Sequence, residues 1–451
     1  MTRGRAQQHR RAFATVLVLG VIAIAAIILV SLQTTAWRDA AHARRAVAQV
    51  RAKWAARAGV EAAIARLEAG TRDPDLTNAF TLAADLAAVS QGTLAGGRGA
   101  TYRVAHHTPT DPLAPGPLDE HAKINVNRMT AEALMLLPNM TEDVADAILD
   151  WIDADEETRP LGAELGHYAT LRNPYEPRNG PVRTLRELEL IAGVRPEYVR
   201  GEDWNLNGLL DPEENDGDAT FPPDNADGRL DVGWSAMLTA SSADSLGVGA
   251  SGQPRLDLFT ASASEIAARL KVTADQAEAI RTHAQTGTAT LPDFLRSSLP
   301  RLAARATAGG APPGATATPI EPLTDEQLAL LFDETTLDDA AAGPLAGKLN
   351  LNTCEAVTLD YLPGMDPGLA DSIIFERSAR AEGFTSLIDL LAVPSISRNR
   401  LAGLVDLVDV RSNVYTITCR GRDEATGIEV EMTATVDRST LPATIRDLTV
   451  R

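Results

Sequence analysis

Two cysteines, Cys354 and Cys419, stand in 451 residues. That is too few for a disulfide framework; the two could pair in an oxidising compartment, and the expected reading is two buried free thiols. Aromatic residues make up only 4% of the chain. No H-E-x-x-H, G-x-S-x-G or P-loop pattern occurs. The seven histidines are scattered; the one close pair, His106-His107, has no cysteine or carboxylate at ligand spacing. A GVGASG run at 247–252 fits G-x-G-x-x-G, but no strand precedes it, Pro254 follows it and no helix opens there. Nothing in the sequence points to a catalytic residue, and the chain is read as a non-enzyme.

Positive charge is also scarce where it would matter. The net charge is −19, yet residues 1–12 carry +4 and residues 38–68 another +4, leaving −27 on residues 69–451. A body that acidic repels phosphate backbones and excludes non-specific nucleic-acid binding as its main task.

Residues 13–32, FATVLVLGVIAIAAIILVSL, are uncharged and mostly apolar. A helix of that length spans a bilayer core of roughly 30 Å. Arginine-rich residues 1–12 should stay cytoplasmic and the bulk should lie outside. A cleaved secretory signal is the competing reading, but the apolar run passes into an alanine-rich stretch without proline, residues 33–68. There Val47, Val50, Trp54, Ala55, Val60 and Ile64 form a loose helical stripe. One helix is predicted from about residue 13 to about residue 68, roughly 80 Å at 1.5 Å per residue.

A basic leader, an apolar segment at its edge and an extended amphipathic helix resemble a type IV pilin or pseudopilin. The resemblance implies cutting by a prepilin peptidase at Ala12–Phe13, where alanine replaces the usual glycine; a junction after Gly4 is a poorer match. Pilin-like subunits carry a glutamate five residues into the mature chain. Here that position is Leu17, and no acid occurs before Asp39. Lack of that glutamate is characteristic of the K-type minor pseudopilin.

The body repeats itself. Lys123, Asn125, Asn127, Leu137, Pro138, Met140, Ala145, Asp146 and Ile148 recur 225 positions later as Lys348, Asn350, Asn352, Leu362, Pro363, Met365, Ala370, Asp371 and Ile373. A weaker copy, 256–280, aligns Asp257, Ala277, Ala279 and Ile280 at an offset of 132. Each copy (123–149, 256–280, 348–374) reads as helix, tight turn, helix, and resembles the helix-hairpin-helix unit. The DNA-binding form of that unit uses a Gly-x-Gly turn. Here the turns are Pro138-Asn139-Met140 and Pro363-Gly364-Met365, followed by Glu142, Asp143 and Asp146 or by Asp366 and Asp371. Acids stand where phosphate binding needs Lys or Arg, so a packing scaffold is the expected role.

The segment 146–188 contains Asp150-Trp151-Ile152-Asp153-Ala154-Asp155, Tyr168, Pro174-Tyr175 and Pro177-Arg178-Asn179-Gly180-Pro181. It closely resembles the core of the type II secretion protein K family. That resemblance implies a minor subunit at the tip of a secretion pseudopilus. It would join I- and J-type subunits, work with the inner-membrane secretion platform and contact secreted cargo.

Residues 203–214, DWNLNGLLDPEE, match D-x-[DN]-x-[DN]-G-x5-E at every specified position. Asp203, Asn205, Asn207, the Leu209 carbonyl, Asp211 and Glu214 would supply the oxygens that calcium takes, with Gly208 at the sharp turn and Leu210 packed inward. A second, weaker set is Asp224, Asn225, Asp227 and Asp231, where Pro223 and Trp234 occupy the first and twelfth places. A structural calcium ion is the expected cofactor, as the family resemblance also suggests.

Residues 99–107 alternate as a strand, and 413–438 read as two strands around a turn at Glu424–Gly427. The predicted fold is α+β. A long N-terminal helix precedes a pilin-like α/β unit (69–110 and 411–451), interrupted by a large all-α insertion (111–410). A membrane-anchored helix-hairpin-helix receptor for DNA uptake is the rival reading. The acidic body and the absent Gly-x-Gly turns argue against it.

Overall fold

The computed structural model describes residues 3–94, 99–108, 111, 113–206, 210–244, 247–307, 320–337 and 345–451, with the side chains of 3–16, 305–307 and 367 outside the described set. Helix α1 runs unbroken over Arg3–Arg72, 70 residues, and passes straight through the Ala12–Phe13 junction. It is longer at both ends than the sequence pattern suggests. From Leu17 onward it is long and apolar enough to cross a membrane, and its apolar window is buried against nothing.

The far end of α1 packs on a seven-stranded antiparallel sheet: β1 (Gln91–Thr93), β2 (Ala100–His106), β3 (Ala114–Pro115), β4 (Leu118–Asp119), β5 (Val414–Asp423), β6 (Glu429–Asp437) and β7 (Thr444–Val450). The order is β1-β2-β5-β6-β7, with β3 beside β2 and β4 beside β5. Cys419 stands opposite Val104 and Asp423 opposite Ala100. The early and late strands therefore pair directly, and everything between β4 and β5 is an insertion. Strand β7 and helix α2 (Thr81–Ala88) complete the unit.

The buried stripe of α1 differs from the sequence reading. Val47, Val50 and Trp54 face outward, while Ala48, Ala52, Ala55, Ala56, Val60, Ala63, Ile64 and Leu67 are buried. Distance is the reason. A Cβ placed on Gly421 of β5 would lie 2.0 Å from the Ala52 carbonyl oxygen and 2.4 Å from the Ala56 nitrogen. A Cβ on Gly59 would meet Cys419 Sγ at 2.4 Å. Helix and strand touch backbone to backbone, so only small side chains fit the seam.

The insertion has its own core, separate from that beneath α1. Its three helix-hairpin-helix copies are Ala131–Leu134 with Glu142–Ile152, Ala263–Leu270 with Ala274–Ala284, and Ala356–Leu359 with Pro367–Ala379. The tight turns share one left-handed position: Asn139 (φ 60°), Lys271 (φ 54°) and Gly364 (φ 75°), at the offsets the sequence repeat gives. Each copy also closes on itself by a two-residue parallel pair: Ile124–Asn125 with Leu238–Thr239, Leu256–Asp257 with Thr335–Thr336, and Leu349–Asn350 with Val408–Asp409.

The repeated asparagines explain themselves here. Asn127 bonds the Val182 backbone through both ends of its amide (3.0 and 2.7 Å), and Asn352 does the same to Phe384 (2.8 and 2.8 Å). Buried Asp119 stitches the insertion to the sheet. Its Oδ2 accepts from Ser412 Oγ and Thr353 Oγ1, both at 2.6 Å. Cys354 lies in the insertion's core and Cys419 in the other; both are free, and burial pushes each thiol up to about 12.

Candidate calcium loops and assembly surface

The loop 203–214 leaves the short helix Pro196–Arg200 and is pinned at its mouth by Arg200. That guanidinium lies 4.8 Å from the Trp204 ring centroid and donates to the Trp204 carbonyl at 2.6 Å. Trp204 stacks edge-on against Phe221, centroids 5.7 Å apart. Inside, Glu214 is the organiser. Its Oε1 accepts from the Trp204 and Asn205 nitrogens (2.8 and 3.4 Å) and its Oε2 from the Asp211 nitrogen (3.1 Å). Asn205 Nδ2 donates to Asp211 Oδ2 at 2.7 Å. Asp203 and Glu214 are buried, and Leu210 is half-buried.

Burial, and then the charge of Asp203, push the Glu214 carboxyl up, against the pull of its backbone donors. Asn205 Oδ1 is buried with no hydrogen-bond partner. A closed oxygen-rich loop with an orphaned amide oxygen fits a hard cation. Asn207, Gly208 and Leu209 lie outside the described residues. Among the described residues no three His, Cys, Asp or Glu side chains converge as a metal set.

The second acidic stretch repeats the arrangement twenty positions later. Asn225 Nδ2 donates to Asp231 Oδ2 at 2.8 Å, matching Asn205 and Asp211. Trp234 stands where a closing glutamate would, but Glu202 fills the role from outside the loop. Its Oε1 accepts from the Asn225 nitrogen (3.2 Å) and its Oε2 from the Asp231 nitrogen (3.0 Å). Glu214 binds Asn205 and Asp211 by the same two-sided grip. Sequence reasoning missed Glu202 because it precedes the first loop. Asp227 joins this group by donating its nitrogen to Asn225 Oδ1 at 2.9 Å. Asp224 does not join; its carboxylate accepts from the nitrogens of Asp216, Gly217 and Ala226 instead.

The helix-hairpin-helix turns carry acid at the phosphate position. Asp366 caps Pro367–Ala379 by accepting from the Leu369 nitrogen (2.9 Å) and pairs with Arg400 at 2.8 Å. In the segment 146–188, Trp151, Tyr168 and Tyr175 pack as one aromatic cluster. Trp151 Nε1 donates to buried Glu187 at 3.1 Å. On α1, Trp37, Val47, Val50 and Trp54 form an exposed apolar series beyond the membrane-length stretch. His106 and His107 bind no shared partner; His106 Nδ1 meets the Gly116 carbonyl at 2.9 Å.

Residues 114–201 match the family described as type II secretion system (T2SS), protein K. Residues 346–408 match the helix-hairpin-helix motif. No curated protein matches the chain. Among solved structures, one match is the crystal structure of the GspK-GspI-GspJ complex from the enterotoxigenic Escherichia coli type 2 secretion system. It is 12% identical, with a TM-score of 0.46, over 91% of this chain and 99% of that one. The matched family segment holds the Asp150–Asp155 run, the aromatic cluster and the first helix-hairpin-helix copy. Over that segment the chain is similar to the type II secretion system protein K family.

Proposed function

We propose that the protein caps the tip of the secretion pseudopilus and helps initiate its assembly. The observation that carries this is the insertion between β4 and β5, which adds a second, larger core to the pilin-like unit. A head of that size obstructs packing within a filament and is tolerated at its end. The lack of any acid between Leu17 and Trp37 agrees, since a subunit with none ahead of it needs no carboxylate inside the membrane.

In this reading α1 anchors the chain once in the inner membrane with its arginine-rich end cytoplasmic and its bulk periplasmic. Prepilin peptidase cuts at Ala12–Phe13. I- and J-type minor pseudopilins pack along the exposed Trp37, Val47, Val50 and Trp54 series. The inner-membrane platform supports assembly, and the insertion meets secreted cargo. Calcium is structural, held by Asp203, Asn205, Asn207, Leu209, Asp211 and Glu214. A second ion takes Asn225, Asp227 and Asp231 with Glu202. Its task is to lock residues 201–234, whose ends meet at a Gly201–Val232 bridge. The protein has no catalytic role. The acid-capped turns speak against the DNA-receptor alternative.

The test is co-purification of the full chain in detergent with candidate I- and J-type subunits from the same cell. A stable complex that weakens with chelator is expected. A chain that elutes alone, with and without calcium, overturns the tip assignment; salt-dependent retention on DNA would then favour the alternative.

A further inference from the structure

The chain gathers its cations where its own acids are few. Residues 38–57 hold six bases, Arg38, Arg44, Arg45, Arg51, Lys53 and Arg57, and one acid, Asp39. In the orientation proposed above these bases lie outside, against the usual retention of positive charge in the cytoplasm. Their own chain answers only two of them. Arg57 pairs with Glu61, and Arg51 reaches Asp423 at 3.6 Å. Arg44 donates its Nε to the Ala40 carbonyl of its own helix at 3.2 Å. Among the described residues Arg38, Arg44, Arg45 and Lys53 have no ion pair.

The same stretch of α1 carries an uncovered apolar face. Val47, Val50 and Trp54 are 49%, 55% and 61% exposed, while Ala48, Ala52 and Ala55 beside them are buried toward the sheet. The apolar three therefore point away from the sheet. Their spacing of three and four, which Ala43 and Ala40 continue, is that of the seam between two paired helices. Arg44, Arg51 and Lys53 flank this seam at the positions that set partner choice in such pairs. Arg38 and Arg45 stand on the opposite side of the helix.

Resting on the assembly reading above, we infer that this face of α1 binds an acidic amphipathic helix of a neighbouring subunit, with apolar residues on the seam and carboxylates against Arg44, Arg51 and Lys53. The spacing selects a helix, and the unanswered bases select its charge. Lipid headgroups do not reach these bases. Arg44 is 12 and Lys53 is 21 residues past Leu32, about 18 and 30 Å along the helix, whereas the headgroup layer is about 5–8 Å deep. Nucleic acid is repelled by the −27 body.

The experiment measures binding of the full chain in detergent to the candidate I- and J-type subunits at 150 mM salt, where charges are screened beyond about 8 Å. Arg44→Glu with Lys53→Glu should weaken the complex about tenfold or more. Arg38→Glu with Arg45→Glu makes the same change of charge on the far side of a helix about 10–12 Å across, and should alter affinity less than about twofold. All four side chains are exposed, so folding is not at stake. Val50→Asn should weaken the complex even at about 500 mM salt, where the charge effect fades. A wild-type complex that ignores the Arg44, Lys53 reversal overturns the inference alone, and so does an equal loss from both pairs. If neither subunit binds at any salt, the assembly reading falls and takes the acidic helix with it. A loss that appears only in micelles carrying phosphatidylglycerol refutes the acidic helix, because the bases then face lipid.

Discussion

Gly421→Ala tests the contact on which the pilin-like unit is built. The new Cβ would sit 2.0 Å from the Ala52 carbonyl oxygen and 2.4 Å from the Ala56 nitrogen. Ordinary contact is about 3.5 Å, so α1 must retreat by about 1.5 Å or the strand must buckle. Both neighbours are backbone atoms, and neither can rotate aside. Overpacking of this kind costs about 1–3 kcal/mol. Hydrogen exchange reads the effect locally. Amides of β5 and β6 that exchange when this unit opens should speed up roughly 5- to 150-fold. Amides of the insertion's separate core should not change. Gly403→Ala is the control, since its Cβ meets nothing within 4 Å in the helix Arg398–Leu404. It should stabilise the insertion by about 0.5–1 kcal/mol. Unchanged exchange in β5 and β6 of Gly421→Ala would refute the backbone-contact argument.

Asn352→Ala removes a side chain that pairs with the Phe384 backbone twice and with the Val410 carbonyl at 2.9 Å, all buried. It should cost about 3 kcal/mol in chemical denaturation, and Asn127→Ala, at a half-buried site, about 1–2 kcal/mol. Glu187 is opposed by burial, but bonds from Arg178, the Arg183 nitrogen and Trp151 outweigh it and hold its pKa below 4.5. A depressed carboxylate contributes stability that is present above pH 4.5 and lost as pH falls through its lower folded value. The stability gap between the parent and Glu187→Gln should therefore be full above pH 4.5 and close below it.

The strongly periodic parts of the fold were legible. Strand β2 falls within 99–107, and β5 and β6 flank the anticipated turn, because inward and outward residues alternate there. The three helix-hairpin-helix copies were legible from identities, and the shared left-handed turn position shows why Asn139, Lys271 and Gly364 align. Strand β7 was not, since all seven of its residues are exposed and Arg446-Asp447 breaks the alternation. The stripe on α1 was misread because hydrophobicity favoured Val47, Val50 and Trp54 over alanines, while the approach of Gly421 demanded alanines. The calcium pattern was visible within one stretch of sequence. The grip of Glu202 on Asn225 and Asp231 was not, because those partners are fixed by the folded chain rather than by spacing.

The parallel pairs that close each helix-hairpin-helix copy give the chain a grammar of nested parentheses. The outermost pair is β2 with β5; within it stand three smaller brackets, and within the first of these the Gly201–Val232 bridge encloses another. When the ends of a segment are already clasped, lengthening what lies between adds only about 0.6 kcal/mol per doubling. Such a chain can acquire text inside any bracket without disturbing the sentence around it. The first bracket has done so, holding residues 126–237 where the third holds 351–407. Variation in what the head contacts can therefore accumulate inside a clause while the helix and sheet that place it stay the same.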